Sequence, residues 1–168
     1  MQRSFQPLIA FSVLQFMFAV NTADAGADEI LGEWFPPDAA ALLRIERKQG
    51  AYTIQIVRQS ADRVLHPQIK DVGNPDLNLR ERPLEGLEIG HGFRFYEDRW
   101  KDGSLYDPAT GREYRASIDI LDEHHLRVRG FIGLSLFGRS QIWTSKAFFS
   151  RNLSRLLHGG PLSEGAAP

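Results

Sequence analysis

The chain contains no cysteine, which excludes disulfide scaffolds, thiol catalysis and thiolate metal sites. It also has no excess of either charge, because 20 Lys and Arg residues face 21 Asp and Glu residues for a net charge of −1. Binding to nucleic acid requires a basic surface, so this balance argues against a nucleic-acid partner. The chain has no phosphate loop, dinucleotide fingerprint or nucleophile elbow. The sequence therefore predicts no cofactor, no metal and no catalytic residue, and makes an enzyme the less favoured class of protein.

The N terminus has the three parts of a secretory signal peptide. Arg3 precedes an apolar run from Leu8 to Val20, which Ala23-Asp24-Ala25 follows. The small residues Ala23 and Ala25 suit a signal peptidase, and the run is shorter than the roughly 20 residues that span a bilayer. This pattern predicts that residues 1–25 are a signal peptide, and it favours that interpretation over the alternative of an uncleaved membrane anchor. It predicts cleavage after Ala25 and a periplasmic or secreted protein.

Beyond residue 25, apolar and polar residues alternate with a period of two, which is typical of half-buried β-strands. One example is Tyr52, Ile54 and Ile56, which follow the turn signal Lys48-Gln49-Gly50. Eight strands are predicted, near residues 30–35, 41–47, 51–58, 87–95, 99–106, 112–121, 125–132 and 138–145. Short strands at this spacing predict an all-β, eight-stranded antiparallel barrel that forms one domain over residues 26–146.

Two segments interrupt the strand pattern. Residues 59–86 are rich in proline and glycine and predict a long loop, with one helical turn from Asp76 to Arg80. Asn74 and Asp76 are expected to stabilise this loop through local hydrogen bonds from side chain to backbone.

The second segment, residues 147–168, is predicted to be a short amphipathic helix followed by a frayed tail. Five apolar residues share one helical face: Phe148, Phe149, Leu153, Leu156 and Leu157. Three alternatives follow from this pattern. The helix packs on the barrel wall, it lies on an anionic membrane as a peripheral contact, or it is disordered.

Two groups of spaced motifs resemble a known family. The first runs from Asn74-Pro75-Asp76 to Gly86-Leu87-Glu88-Ile89, and the second from Tyr106-Asp107-Pro108 to Trp143-Thr144. Over Ile30 to about Lys146 the chain is similar to a bacterial secreted-protein family called domain of unknown function 2147. The resemblance implies a small lipocalin-like or calycin-like barrel, and the family has no assigned activity.

Gly32-Glu33-Trp34 is similar to the Gly-x-Trp motif at the first strand of lipocalins. That similarity implies that Trp34 closes the narrow end of the barrel beneath an Arg from the last strand. Arg139 is the candidate because it lies at the start of the last predicted strand. A guanidinium that lies over an indole ring stabilises a fold by about 0.5–2 kcal/mol. Gly32 and Trp34 are therefore predicted structural residues.

Further structural residues are predicted in the segment Asp107-Pro108-Ala109-Thr110-Gly111. A hairpin turn is favoured there over a chemically active carboxylate, since Pro108 suits a turn, Asp107 caps it and Gly111 accepts a left-handed conformation. A solvated turn is likewise favoured over a metal site at His124-His125, because adjacent strand residues point to opposite faces.

Six residues are candidates for ligand binding: Arg80, Tyr114, Arg129, Arg139, Gln141 and Trp143. Arg139, Gln141 and Trp143 share one face of the last strand, and a polar group facing an apolar lumen needs a partner. That partner is either a carboxylate of the chain, such as Asp76 or Asp107, or the acid group of a ligand.

A barrel of eight strands either fills with side chains or holds one small ligand. The leading hypothesis is a lipocalin-like protein that binds a small apolar or amphipathic ligand. The predicted lining is made of three strand faces: Tyr52/Ile54/Ile56, Phe93/Phe95 and Tyr114/Ala116/Ile118. The alternatives are a cell-envelope interaction module with a filled barrel, and a cofactor-free enzyme that uses the barrel mouth. The sequence does not indicate an oligomeric state.

Overall fold

The computed structural model describes residues 26–59, 69–133 and 138–157. The predicted signal peptide, residues 1–25, lies outside the described residues. Eight strands and a C-terminal helix follow in chain order: β1 (Gly32–Phe35), β2 (Ala41–Lys48), β3 (Ala51–Gln59), β4 (Glu88–Tyr96), β5 (Arg99–Asp107), β6 (Arg112–Asp122), β7 (His125–Phe131), β8 (Gly138–Ser145) and α1 (Lys146–Leu157). The strands agree with the predicted ones to within one or two residues.

The eight strands form one closed antiparallel barrel. Each strand pairs with the next in the chain, and β8 pairs with β1 through Trp34 opposite Ser145. Because all strands are paired, the barrel has no open edge. The prediction of an eight-stranded antiparallel barrel with a short C-terminal helix is confirmed.

One end of the barrel is closed by a turn over residues 26–30, which precedes β1. Ile30 and Ala27 are buried in the core. The indole of Trp34 donates a hydrogen bond to the Ile30 carbonyl at 2.9 Å, and that of Trp100 donates to the Ala27 carbonyl at 3.0 Å. The Tyr52 hydroxyl donates to Asp28 Oδ1 at 2.8 Å. These bonds hold the turn across the closed end and satisfy polar groups that burial would otherwise leave unpaired.

Large side chains fill the half of the barrel next to this end, which we call the floor. The floor consists of Tyr52, Ile54, Phe93, Trp100, Ile118 and Leu126, all at most 2% exposed. Its packing depends on Gly103, because a Cβ there would lie 2.3 Å from the Phe93 ring. The ring occupies the space that any other residue at position 103 would need.

The predicted stacking of Arg139 on Trp34 is wrong. Trp34 pairs with Ser145, whereas Arg139 pairs with Gly130 at the other end of β8. Arg139 lies six positions before Ser145 on β8, which corresponds to roughly 20 Å. Trp34 nevertheless is buried near the closed end, where its indole nitrogen is satisfied by the Ile30 carbonyl. Gly32 has φ +131, a conformation that favours glycine.

Helix α1 begins at Lys146, one residue before the predicted boundary, and contacts the barrel through its first turn. The Phe149 ring lies 4.6 Å from that of Phe35, between centroids, and the Phe148 ring lies 4.5 Å from that of His124. Lys146 also pairs with Glu33, which lowers the pKa of that carboxyl. The second half of the helix is different, because Leu153, Leu156 and Leu157 are exposed. The apolar face is therefore only partly covered.

Within the described residues, no helix has the length and apolar character needed to cross a membrane. The same part of the chain contains no cluster of three or more His, Asp or Glu side chains able to hold a metal ion.

Candidate ligand-binding cavity

A cavity of about 740 Å³ opens at the end of the barrel opposite the floor. Its mouth lies where β1 leads to β2 and where β5 leads to β6. The apolar part of its lining includes Leu43, Ile56, Leu84, Ile89, Leu105, Val128, Phe131 and Trp143. Ligand sites commonly measure about 300–1,000 Å³ and are mostly apolar with a few polar groups. The described barrel thus has a solid lower half and an open upper half.

The inward face of β8 changes from charged to apolar toward the floor. Arg139 lies nearest the mouth, Gln141 follows, and Trp143 is 2% exposed at the bottom of the cavity. The Trp143 indole donates to Gln141 Oε1 at 3.2 Å. An indole N–H only donates, so this bond orients the amide and leaves the Gln141 NH₂ group pointing away from Trp143.

Tyr114 lies beside Arg139 across a glycine. Gly130 pairs with Arg139, and a Cβ built on Gly130 would lie 3.5 Å from the Tyr114 Cβ. Since position 130 carries no side chain, the wall between Tyr114 and Arg139 is left open. The half-buried Tyr114 lines the cavity with Arg139, Gln141 and Trp143. Four of the six predicted ligand-binding residues are thus brought together.

The carboxylates considered as partners of Arg139 are used elsewhere. Asp76 accepts the backbone N–H of Asn78 at 2.9 Å, and Asp107 accepts the N–H of Ala109 and the hydroxyl of Thr110 at 2.9 and 2.8 Å. Arg139 makes no hydrogen bond or ion pair with any residue in 26–59, 69–133 or 138–157. Of the two alternatives for its partner, a carboxylate such as Asp76 or Asp107 is therefore not the one found among the described residues.

Two predicted ligand-binding residues lie away from the cavity. Arg129 is on the outer face of β7, where its guanidinium donates to Ser140 Oγ at 3.3 Å. Arg80 donates to the backbone carbonyl of Asn74 at 2.7 Å and belongs to the β3–β4 connection. Arg129 alternates with the buried Leu126 and Val128, so the period of two on β7 already favours the outer face for it. No such local pattern fixes the direction of Arg80 in a loop.

The predicted lining is also only partly correct. Ile56 and Tyr114 line the cavity, whereas the other predicted lining residues pack in or against the floor. Arg112 was not among the predicted lining residues, although it lines the cavity near the mouth and lies on the same face of β6 as Tyr114. Arg112, Tyr114 and Ala116 alternate along β6, so the period of two in the sequence already predicts that Arg112 shares the inward face of that strand.

A buried carboxylate ties the β3–β4 connection to the barrel. Asp71 is fully buried and accepts hydrogen bonds from Tyr106 Oη at 2.6 Å, Asn74 Nδ2 at 2.7 Å and Arg82 Nη2 at 2.7 Å. Burial acts to raise the pKa of Asp71, but the three donors outweigh it, so that the pKa is lowered from 3.8. Burial and the bond to Asp71 raise the pKa of Tyr106, whose ring lines the cavity. The network thereby positions part of the cavity wall.

The predicted helical turn in this connection is present as a 3₁₀ turn over Leu77–Leu79, capped by Asp76. Asn74 accepts the backbone N–H of Asp76 at 2.9 Å, as expected for local loop stabilisation. These contacts keep the described part of the long loop, residues 69–87, ordered beside the mouth.

The Asp107–Gly111 segment forms the predicted hairpin turn. The Gly111 N–H donates to the Asp107 carbonyl at 2.8 Å, and Gly111 has φ +67. A Cβ on Gly111 would lie 2.0 Å from the Gly73 carbonyl oxygen. Glycine is therefore required at position 111 for two reasons: the positive φ, and the close contact with the long loop, which leaves no space for a side chain.

The turn at His124-His125 is confirmed, but its side chains are half-buried rather than solvated. His124 packs on Phe148 of α1, and His125 Nδ1 lies 2.9 Å from Asp122 Oδ1. These histidines serve the docking of the helix.

Comparisons with known proteins agree with this geometry. The chain is similar to protein HP1028 from the human pathogen Helicobacter pylori, which is described as belonging to the lipocalin family. The TM-score is 0.63 and the identity 16%, over 74% of this chain and 88% of that chain, so the likeness shows the fold alone. No curated protein matches the chain. A family model described as an uncharacterized protein conserved in bacteria matches residues 32–145, nearly the whole barrel. The chain therefore belongs to this family, DUF2147.

Proposed function

We propose that the protein binds one small apolar or amphipathic molecule inside the barrel. The observation that carries this proposal is the cavity of about 740 Å³ between an apolar wall and a solid floor. Burying apolar chain in such a cavity stabilises a complex by about 0.8 kcal/mol for each methylene group. The lipocalin-like fold supports the same function, although a fold alone does not define one.

The open lumen favours this function over an interaction module with a filled barrel. A filled barrel would continue the packing of the floor up to the mouth, as Trp100 and Phe93 fill the lower half. On the described cavity wall no observation favours the enzyme alternative, since the carboxylates Asp38 and Asp107 accept backbone N–H groups within their own turns.

Native mass spectrometry of the protein purified from its own cell envelope tests the proposal. We expect a fraction of the protein to carry a lipid or metabolite that dissociates at higher collision energy. A variant in which Val128 is replaced by tryptophan places a large side chain across the cavity opposite Gln141 and should lose the adduct while keeping the thermal unfolding temperature within a few degrees. Retention of the adduct by this variant would place the ligand outside the barrel.

We also propose that the protein is exported and cleaved after Ala25. The closing turn starts at Gly26, so cleavage there would remove the leader and retain Ala27 and Ile30, which pack against the floor. N-terminal sequencing of the exported protein should begin at Gly26. A sequence beginning at Met1 would contradict this proposal.

A peripheral contact with an anionic membrane is proposed for the second half of α1. Leu153, Leu156 and Leu157 are exposed there, and the helix carries Arg151 and Arg155 but no acidic residue. Each basic side chain near an anionic surface contributes about 1 kcal/mol. The protein should sediment with anionic vesicles at low salt and not with neutral ones. Replacing the three leucines with serine should abolish sedimentation without changing thermal stability.

A further inference from the structure

We infer that the cavity selects a ligand with a carboxylate head group, which Arg139, Gln141 and Tyr114 hold near the mouth. This inference rests on the proposed function, since it names the class of molecule that the same cavity takes. It follows from the hydrogen-bonding groups of the wall and from the place where they lie relative to the apolar lining.

The polar groups on the inner face of β8 are donors. Arg139 offers guanidinium N–H groups that have no partner among the described residues, and Gln141 offers its NH₂ group because Trp143 occupies its oxygen. A guanidinium never accepts a hydrogen bond. An occupant that satisfies both groups must therefore present acceptors, and a carboxylate presents two oxygens with about four acceptor sites.

The spacing of these groups suits a planar anion. Arg139 and Gln141 are two residues apart on one strand face, which is about 6.5–7 Å between Cα atoms. A guanidinium binds a carboxylate through two parallel hydrogen bonds, and this geometry adds specificity to the charge. The remaining lone pairs of the carboxylate then face Gln141. Because Gly130 on β7 carries no side chain, nothing at that position stands between Arg139 of β8 and the Tyr114 side chain of β6.

The apolar lining extends the site in the direction that an acyl chain would take. Buried apolar side chains line the wall beside and below Gln141: Val128 pairs with Gln141, Trp143 follows it along β8, and Ile56 contributes from β3. The floor ends the cavity. The head group thus lies toward solvent and the chain toward the floor. The carboxylates on the rim, Asp38 and Asp107, cap their own turns, accepting backbone N–H groups of Ala40 and Ala109.

Isothermal titration with dodecanoate and with 1-dodecanol tests the inference, because the two probes share one alkyl chain and differ in the head group. Both are used below their aggregation threshold at pH 8, where the carboxylate is ionised. We expect dodecanoate to bind at least about tenfold tighter than dodecanol, because hydrogen bonds to charged groups are the stronger ones. Arg139→Gln should reduce this ratio to near one, and Gln141→Leu should lower it severalfold. Arg139→Lys, which keeps the charge but not the fork, should give an intermediate ratio.

Arg129→Gln is the matched control, since Arg129 lies next to Gly130 but on the outer face of the barrel. It should leave the ratio unchanged, and thermal unfolding of each variant should remain within a few degrees of the wild type. Equal affinities for the two probes, or a ratio that Arg139→Gln leaves intact, would overturn the head-group inference while leaving the cavity as a binding site. Failure of both probes to bind would overturn the proposed function and the inference with it.

Discussion

Replacing Asp71 with asparagine removes the acceptor at the centre of the network that holds the β3–β4 connection. Asparagine keeps one oxygen, which can still accept from Tyr106, but its NH₂ group faces the donors of Asn74 and Arg82. The variant therefore loses the bonds from Asn74 Nδ2, Arg82 Nε and Arg82 Nη2, which measure 2.7, 2.9 and 2.7 Å. The Arg82 side chain is partly exposed, so its guanidinium can form hydrogen bonds to water in place of those to Asp71. The expected loss is thus about 3 kcal/mol, the lower end of the range for breaking a buried pair.

Urea unfolding at pH 7 measures this loss as a change in the free energy of unfolding. Glu81→Gln is the control, because Glu81 forms an exposed pair with Lys70 in the same connection and should change stability little. A loss for Asp71→Asn no larger than that of the control would refute the assignment of Asp71 as the anchor of the loop.

The difference in unfolding free energy between the wild type and Asp71→Asn should depend on pH. The pKa of Asp71 in the folded protein lies below its ordinary value of 3.8. The stabilisation by its carboxylate is therefore fully present above pH 3.8 and is lost as pH falls through the lowered pKa. The difference in unfolding free energy between wild type and Asp71→Asn should be constant from pH 7 to about pH 5 and should shrink in more acidic solution. A difference that grows on acidification would contradict the sign.

Three further perturbations test other parts of the fold by thermal or chemical unfolding. Gly111→Ala should lower the free energy of unfolding by about 3 kcal/mol or more, because the new Cβ would clash with the Gly73 carbonyl. Gly50 also has a positive φ but lies in open space, so Gly50→Ala should lower it by about 1 kcal/mol. Equal losses for the two variants would contradict the close contact at Gly111. Trp34→Ala should cost about 3–5 kcal/mol, as for other buried aromatic residues, and a cost below 1 kcal/mol would show that the closed end does not need it. Truncation after Ser145 should lower the melting temperature by several degrees, since it removes the phenylalanine contacts of α1, and an unchanged melting temperature would show that the helix adds nothing to the barrel.

The strand order and most strand boundaries could be predicted because alternation with a period of two is a local signal. The runs around Tyr52 and Ile118 are examples, and a closed barrel follows once eight such strands are joined by short turns. The turn at Asp107–Gly111 could be predicted as well, since glycine is the residue that most readily adopts the positive φ found at position 111.

The division of the barrel into a floor and a cavity could not be predicted, because it depends on how far each inward residue lies from the mouth. Phe93 and Tyr114 both face inward, but the first is covered by the closing turn and its neighbours and the second is not. That depth is set by strand tilt and stagger, which are properties of the closed sheet rather than of any one strand. The error for Arg139 has the same origin, because its distance from Trp34 depends on the pairing of β8 with β1.

The Asp71 network was missed for a different reason. Its members Asp71, Asn74, Arg82 and Tyr106 come from a loop rich in polar residues and from a strand more than 30 positions away. Nothing in the sequence marks which of several acidic residues in that loop will be buried.

Quenching of tryptophan fluorescence by a brominated fatty acid shows whether a ligand enters the barrel, because bromine quenches by contact and Trp143 is the tryptophan that lines the described cavity. We expect saturable quenching of part of the emission in the wild type. Trp143→Phe should lose that part, while the emission of Trp34 and Trp100, which close and fill the other end, stays unquenched. Quenching that persists in Trp143→Phe, or its absence in the wild type, would contradict a ligand site inside the barrel.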